Sequence, residues 1–106
     1  MPKYLIEASY TTDGVKGLIK EGGSKRREAV EQLLRSVGGK LEVLYFAFGQ
    51  TDAFAIVDLP DNVSVAAASL AVNAAGLVQV RTTVLLTPEE MDQATKKSVS
   101  LRAPGT

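Results

Sequence analysis

The chain has 106 residues, 45% hydrophobic and 23% charged, with twelve basic and twelve acidic side chains and a formal net charge of zero. That length fits one domain with a modest core, and the even charge excludes a nucleic-acid binder held by bulk charge or a polybasic membrane anchor. Cysteine and histidine are both absent, which removes disulfides, thiolate chemistry, cysteine or histidine metal sites and the commonest general base, so neither metal nor cofactor is expected.

KYLIEASY, Lys3 to Tyr10, alternates as a strand. Tyr4, Ile6, Ala8 and Tyr10 share one face, and Leu5, Glu7 and Ser9 share the other. Thr11 to Gly14 supplies helix-start chemistry for a short helix through Val15, Leu18 and Ile19. After Glu21-Gly22-Gly23, Ser24 is the expected cap of a second helix, whose Ala29, Val30, Leu33, Leu34 and Val37 form one stripe. Gly38-Gly39 ends it. The second strand is expected over Leu41 to Phe48, with Leu41, Val43, Tyr45 and Ala47 alternating against Glu42, Leu44, Phe46 and Phe48. Gly49 to Asp52 makes a hairpin into a third strand, Ala53 to Leu59, which Pro60 stops. Asp61 or Asn62 caps an alanine-rich helix with Val63, Ala67, Leu70, Ala71 and Ala74 on one face, and Gly76 ends it. Leu77 to Leu86 is a fourth strand. Thr87-Pro88-Glu89-Glu90 opens a last short helix, reaching about Lys96.

The order β-α-β-β-α-β with a terminal helix predicts an α+β fold, the ferredoxin-like sandwich, with strands in spatial order 4-1-3-2. Residues 1–97 form the expected domain and 98–106 a flexible tail. Several strands are apolar on both faces, Leu44 to Phe48 and Phe54 to Leu59 most clearly. Helices cover one face of such a sheet, so the other needs its own cover. A second copy provides it in a closed two-fold dimer, the dimeric α/β-barrel arrangement. The competing reading has the terminal helix and tail cover that face within one chain.

On this second face Glu7 and Ser9 of the first strand stand beside Gln79, Arg81 and Thr83 of the fourth. Glu7 and Arg81 can pair across the two strands. With Leu5, Phe46, Phe54 and Leu85 around them, they make either a small-molecule site or an ion pair that fixes register. Candidate ligand-binding residues are therefore Glu7, Ser9, Phe46, Phe54, Arg81 and Thr83. Asp52 is either a base at the mouth of the cleft or an anchor for the hairpin. Lys25-Arg26-Arg27 reads as a solvated run, the alternative being an anion site at the helix start. Tyr4, Tyr10 and Tyr45 are expected in the core.

MPKYLIEASYTTDGVKGL, with Tyr10, Thr11 and Gly14, opens a set of matching pieces. The others are Arg26 to Ala29, the GGKLE entry to the second strand, Tyr45, Gly49 with Asp52, Asp58 to Asp61, and Gly76, Val78 and Thr82. In these pieces the chain resembles the GYD-domain family of small bacterial proteins. The naming motif is glycine, one residue, tyrosine, aspartate, and Thr51 occupies the tyrosine place. The resemblance implies a ferredoxin-like, dimeric α/β-barrel protein. Structural relatives of that family include cofactor-independent monooxygenases, lactone isomerases and simple ligand binders.

Three functions follow as expectations. The first is a homo-oligomeric domain binding a small apolar or aromatic molecule between sheets. The second is a cofactor-independent enzyme of monooxygenase or isomerase type, with Glu7 or Asp52 as base and Arg81 as electrostatic stabiliser. The third is a purely structural oligomer. The expected partner is the protein itself, with no nucleic acid and no membrane. No run reaches the roughly 20 apolar residues of a membrane helix and no charged-then-apolar leader opens the chain, so a cytoplasmic location is expected.

Overall fold

A computed structural model describes all 106 residues. The elements are β1 (Lys3–Tyr10), α1 (Thr12–Glu21), α2 (Gly23–Ser36), β2 (Lys40–Phe46), β3 (Ala53–Asp58), α3 (Asn62–Ala75), β4 (Val78–Leu85) and α4 (Pro88–Thr95). The strands form one antiparallel sheet in the order β2-β3-β1-β4. It is an open sheet, with β2 and β4 at its edges.

Local chemistry sets most of the ends. Thr11 caps α1 by accepting from the Gly14 amide at 3.2 Å, and Asp61 caps α3 by accepting from the Ser64 amide at 2.8 Å. Gly76 closes α3 in the left-handed region, φ 74°, where a Cβ would be strained. Thr87 and Glu90 form a reciprocal capping box at α4. The start of α2 differs from expectation. Its N-cap is Gly22 rather than Ser24, with no side-chain bond to the first turn and no acid in it.

α2 lies over β2 and α3 over β4, so both cover the same face. The core there consists of Tyr4, Leu34, Ala55, Val57, Leu59 and Val65. The Tyr4 hydroxyl donates to Asn62 Oδ1 at 2.8 Å, which satisfies its one polar atom. α3 turns a different side inward from the expected one. Val65 is buried, and Ala68, Ser69 and Val72 follow it at helical spacing toward the sheet. Val63 and Leu70 of the expected stripe face solvent, 77% and 71% exposed. The helix is apolar nearly all round, so no stripe of its own decides which side packs.

β2 also departs from simple alternation. A bulge between Leu41 and Val43 shifts the register, and beyond it Val43 pairs with Ile56, Tyr45 with Phe54 and Phe46 with Ala53. Leu41 and Leu44 thus both pack toward the helices.

The last part of the chain leaves the body. Every residue from Pro88 to Thr106 is exposed. The molecule spans 57 × 32 × 22 Å with a radius of gyration of 16.9 Å, against about 13 Å for a compact chain of this length. Its accessible surface is 7582 Å² at 11.2 kDa, whereas a folded monomer of that mass exposes about 5,700 Å². α4 and the tail therefore do not cover the second face of the sheet.

Candidate functional site

The uncovered face is built in rows. Tyr45, Phe54, Glu7 and Arg81 stand directly across the four strands, and Val43, Ile56, Leu5 and Thr83 form the next row. Tyr45 is 71% exposed and Phe54 38%. Glu7 Oε2 and Arg81 Nη2 are 3.8 Å apart, and Arg81 Nη2 also donates to Thr51 Oγ1 at 3.3 Å. The Ser9 hydroxyl donates to the Gln50 carbonyl at 3.4 Å. The arginine side chain remains 70% exposed, so in one chain this is a loose surface pair contributing little to stability.

Glu7, Ser9, Phe54, Arg81 and Thr83 thus share one face. Phe46 does not join them. It pairs with Ala53, whose side chain is buried beneath the helices, and its ring reaches Gly23 at the start of α2. The bulge is the cause, because one extra residue turns the rest of β2 over. The same flip puts Tyr45 on the open face instead of in the core.

At the edge of that face Lys3 Nζ reaches Glu42 at 2.5 Å and Asp58 at 2.9 Å. These bonds, first to Glu42 and then to Asp58, hold the lysine above its ordinary pKa.

The helix-covered face encloses two spaces. An inner one of about 90 Å³ lies between α2, α3 and the sheet and is apolar apart from Arg26 and Ser69. An outer one of about 290 Å³ opens between α1, the start of α2 and the ends of β1 and β2, with Val15, Leu18, Phe46 and Asp52 on its walls. Tyr10 borders both. Burial pushes the Tyr10 phenol above its usual pKa, while the Arg26 guanidinium beside it pulls the other way. Arg26 Nε is buried and has no hydrogen-bond partner.

Asp52 anchors the hairpin, by a route the sequence does not reveal. Its Oδ2 accepts the backbone N–H of Tyr10 at 2.8 Å, and its own amide donates to the Ala8 carbonyl at 2.9 Å. The β2–β3 connection is thereby fastened to the end of β1. Asp52 is also the one expected site residue besides Phe46 that borders the outer space.

Residues 4–95 match the GYD domain family. The chain belongs to that family. No curated protein matches it. In this GYD domain the residues on which the resemblance rests are largely joints of the fold. Thr11 caps α1, and its hydroxyl reaches the Gly76 and Leu77 carbonyls, both at 3.1 Å. Gly14 packs so close to Leu77 that a Cβ would run into the Leu77 carbonyl oxygen. Asp58 holds Lys3, Leu59 enters the core and Asp61 caps α3. Thr51, at the tyrosine place, is buried and takes its bond from Arg81 across the sheet.

Sequence reasoning read Arg26 as part of a solvated run, with an anion site as the alternative, and missed that Arg26 lines the inner space and that Tyr10 borders both spaces. A signal existed for Arg26. It precedes Val30 by four residues and Leu33 by seven, which puts it on the inward stripe of α2 while Lys25 and Arg27 fall outside it.

Proposed function

We propose that this GYD domain is a cytoplasmic, homo-oligomeric small-molecule-binding protein. In this reading the chain is a ferredoxin-like unit, and two copies join their uncovered sheet faces as a dimeric α/β barrel. One observation carries the reading. Leu5, Val43, Tyr45, Phe54 and Ile56 form an apolar field that no part of the chain covers. A closed two-fold arrangement lets the same field face itself. Glu7 and Arg81 of each copy, with Ser9, Phe54 and Thr83, then line the space between the sheets, where a small apolar or aromatic molecule is held.

Native mass spectrometry of freshly purified protein tests both halves of the proposal, since it reports subunit count and retained mass together. The expected result is a dimer or a higher even assembly that Ile56→Glu reduces to folded monomer. Wild-type protein that stays monomeric at high concentration would refute the assembly. A dimer that neither retains nor takes up any aromatic or apolar probe would refute the ligand.

A further inference from the structure

The helix-covered face offers a site that the dimer does not require. α2 lies over β2 and α3 over β4, the two edge strands, so β3 and β1 are left beneath the gap between the helices. Edge strands three spacings apart are separated by about 14 Å, whereas helices in side-by-side contact lie about 8–10 Å apart. The inner space of about 90 Å³ is that gap. Ala8, Ala53, Ala55 and Ala68 line it with single methyl groups, too short to close it. The slot has a polar end and an apolar end. β1 and β2 both run antiparallel to β3, so their last residues, Tyr10 and Phe46, lie at the same end of the sheet. α2 starts there, with Gly23 against the Phe46 ring. Arg26 and Tyr10 thus stand on the wall at that end, and Leu34, Val57 and Leu59 close the other within the core.

Arg26 is the unusual member of this wall. A guanidinium keeps its charge at any ordinary pH. Long cationic side chains normally bury the stem and carry the head to water. Here the Nε is buried and donates to nothing. The chain's ion pairs use Lys3, Arg27 and Arg81, and none includes Arg26. A buried donor on a charged group is costly to leave unmet, and the first turn of α2 holds no acid to meet it. One carboxylate supplied from outside the chain does so.

We propose that the inner slot binds a short aliphatic monocarboxylate, of about four to six carbons, with its carboxylate on Arg26 and its chain along the floor made by β1 and β3. The room sets the size. An apolar cavity of about 150 Å³ accepts benzene, so 90 Å³ is too small for a ring and accepts about four chain carbons. The wall sets the charge. Beyond Arg26 and Ser69 it is apolar, so a second negative charge would be buried without a partner. The site lies within one chain and does not rest on the dimer.

The experiment titrates pentanoate into the purified protein and follows amide and methyl shifts by NMR. Saturable binding is expected, with shifts centred on Arg26, Val30, Ala55 and Val72. Arg26→Leu should weaken it by roughly ten-fold or more, as the loss of a charge-assisted bond implies. The same variant should melt no lower than wild type, because it removes an unanswered buried charge, and this separates lost binding from lost folding. Ala68→Leu fills the slot from the α3 side, so it should abolish binding and also melt no lower than wild type. 1-Pentanol, which has the chain without the charge, and inorganic phosphate, which has charge without the chain, should each bind at least ten-fold more weakly than pentanoate. Absence of saturable binding to the folded wild type, equal binding by Arg26→Leu, equal binding of the alcohol or of phosphate, or shifts centred on Glu7 and Arg81 would each overturn the proposal. So would a lowered melting temperature in Arg26→Leu, which would mean the guanidinium is already answered within the chain, or in Ala68→Leu, which would deny the space itself.

Discussion

The two faces of the one sheet are made from the same strands and differ in an instructive way. Toward the helices β3 presents Ala53, Ala55 and Val57, and toward the open side Phe54 and Ile56. The small side chains of β3 face the covered side, where Tyr4 and Ile6 of β1 and the helices fill the core. The bulky ones of β3 face the side with no cover. A sheet built only to be solvated on its second face would reverse that choice, since exposed bulk apolar surface costs free energy and brings no packing. The covered face is thus complete within one chain, and the open face is left without a cover.

Substitutions on the two faces should therefore act on different quantities. Tyr4 is 1% exposed and its hydroxyl is bonded to Asn62. Tyr4→Ala should cost about 3–5 kcal/mol of unfolding free energy, from lost burial, the cavity left and the stranded amide. Urea unfolding monitored by circular dichroism measures it. Phe54→Ala, on the neighbouring strand but the other face, should change the unfolding of the dilute monomer by less than about 1 kcal/mol. It should weaken self-association by a larger factor, measured by sedimentation equilibrium. Equal losses of folding stability in the two variants would erase the distinction between the faces.

The comparison also separates what the sequence discloses from what it conceals. Period-two and period-3.6 patterns disclose the strands and helices, and caps such as Thr11, Asp61 and Thr87 fix several ends. The direct opposition of Glu7 and Arg81 follows from alternation once β1 and β4 are taken as antiparallel neighbours. Phe46 and Tyr45 lie on the faces opposite to those expected because a bulge leaves no mark in the hydrophobic pattern, and one extra residue inverts everything after it. α3 conceals its inner side for another reason. With Val63, Val65, Leu70 and Val72 spread around it, no stripe dominates, and tertiary packing selects Val65. Arg26 is hidden between two other cations, and only its place in the frame of α2 marks it.

The joint between the faces yields an intermediate effect. Asp52→Asn keeps the shape of the side chain but replaces a carboxylate acceptor at the Tyr10 amide with a neutral one. About 1–2 kcal/mol should be lost, the difference expected for a charge-assisted bond at a half-buried place. Amide exchange should speed up at Tyr10 and around the hairpin. Restoration of wild-type protection by the asparagine would mean that the charge contributes nothing there.

α4 extends the comparison to a region that touches neither face. Thr87→Ala breaks its capping box, worth about 1 kcal/mol to the helix itself. Because α4 buries no residue, the global unfolding midpoint of dilute protein should not move, and only exchange within Pro88–Thr95 should quicken. A shift in the midpoint would show that α4 is packed against something in solution.

The smallest effect concerns Asp61, on the helix-covered side but fully in water. Bonds from the Ser64 amide, then from its side chain, and from the Val63 amide hold its carboxyl below the ordinary aspartate range. The folded-state value is the lower one, so the cap contributes fully above the unfolded pKa and is lost as pH falls through the folded value. Stability should thus decline slightly between about pH 4 and the lower folded value. Asp61→Asn should retain the amide bond through its side-chain oxygen while abolishing that part of the pH dependence. Thermal melts of both proteins across this acid range provide the test. Converging curves at the acid end would assign the sensitivity to the cap, and parallel curves would refute that assignment.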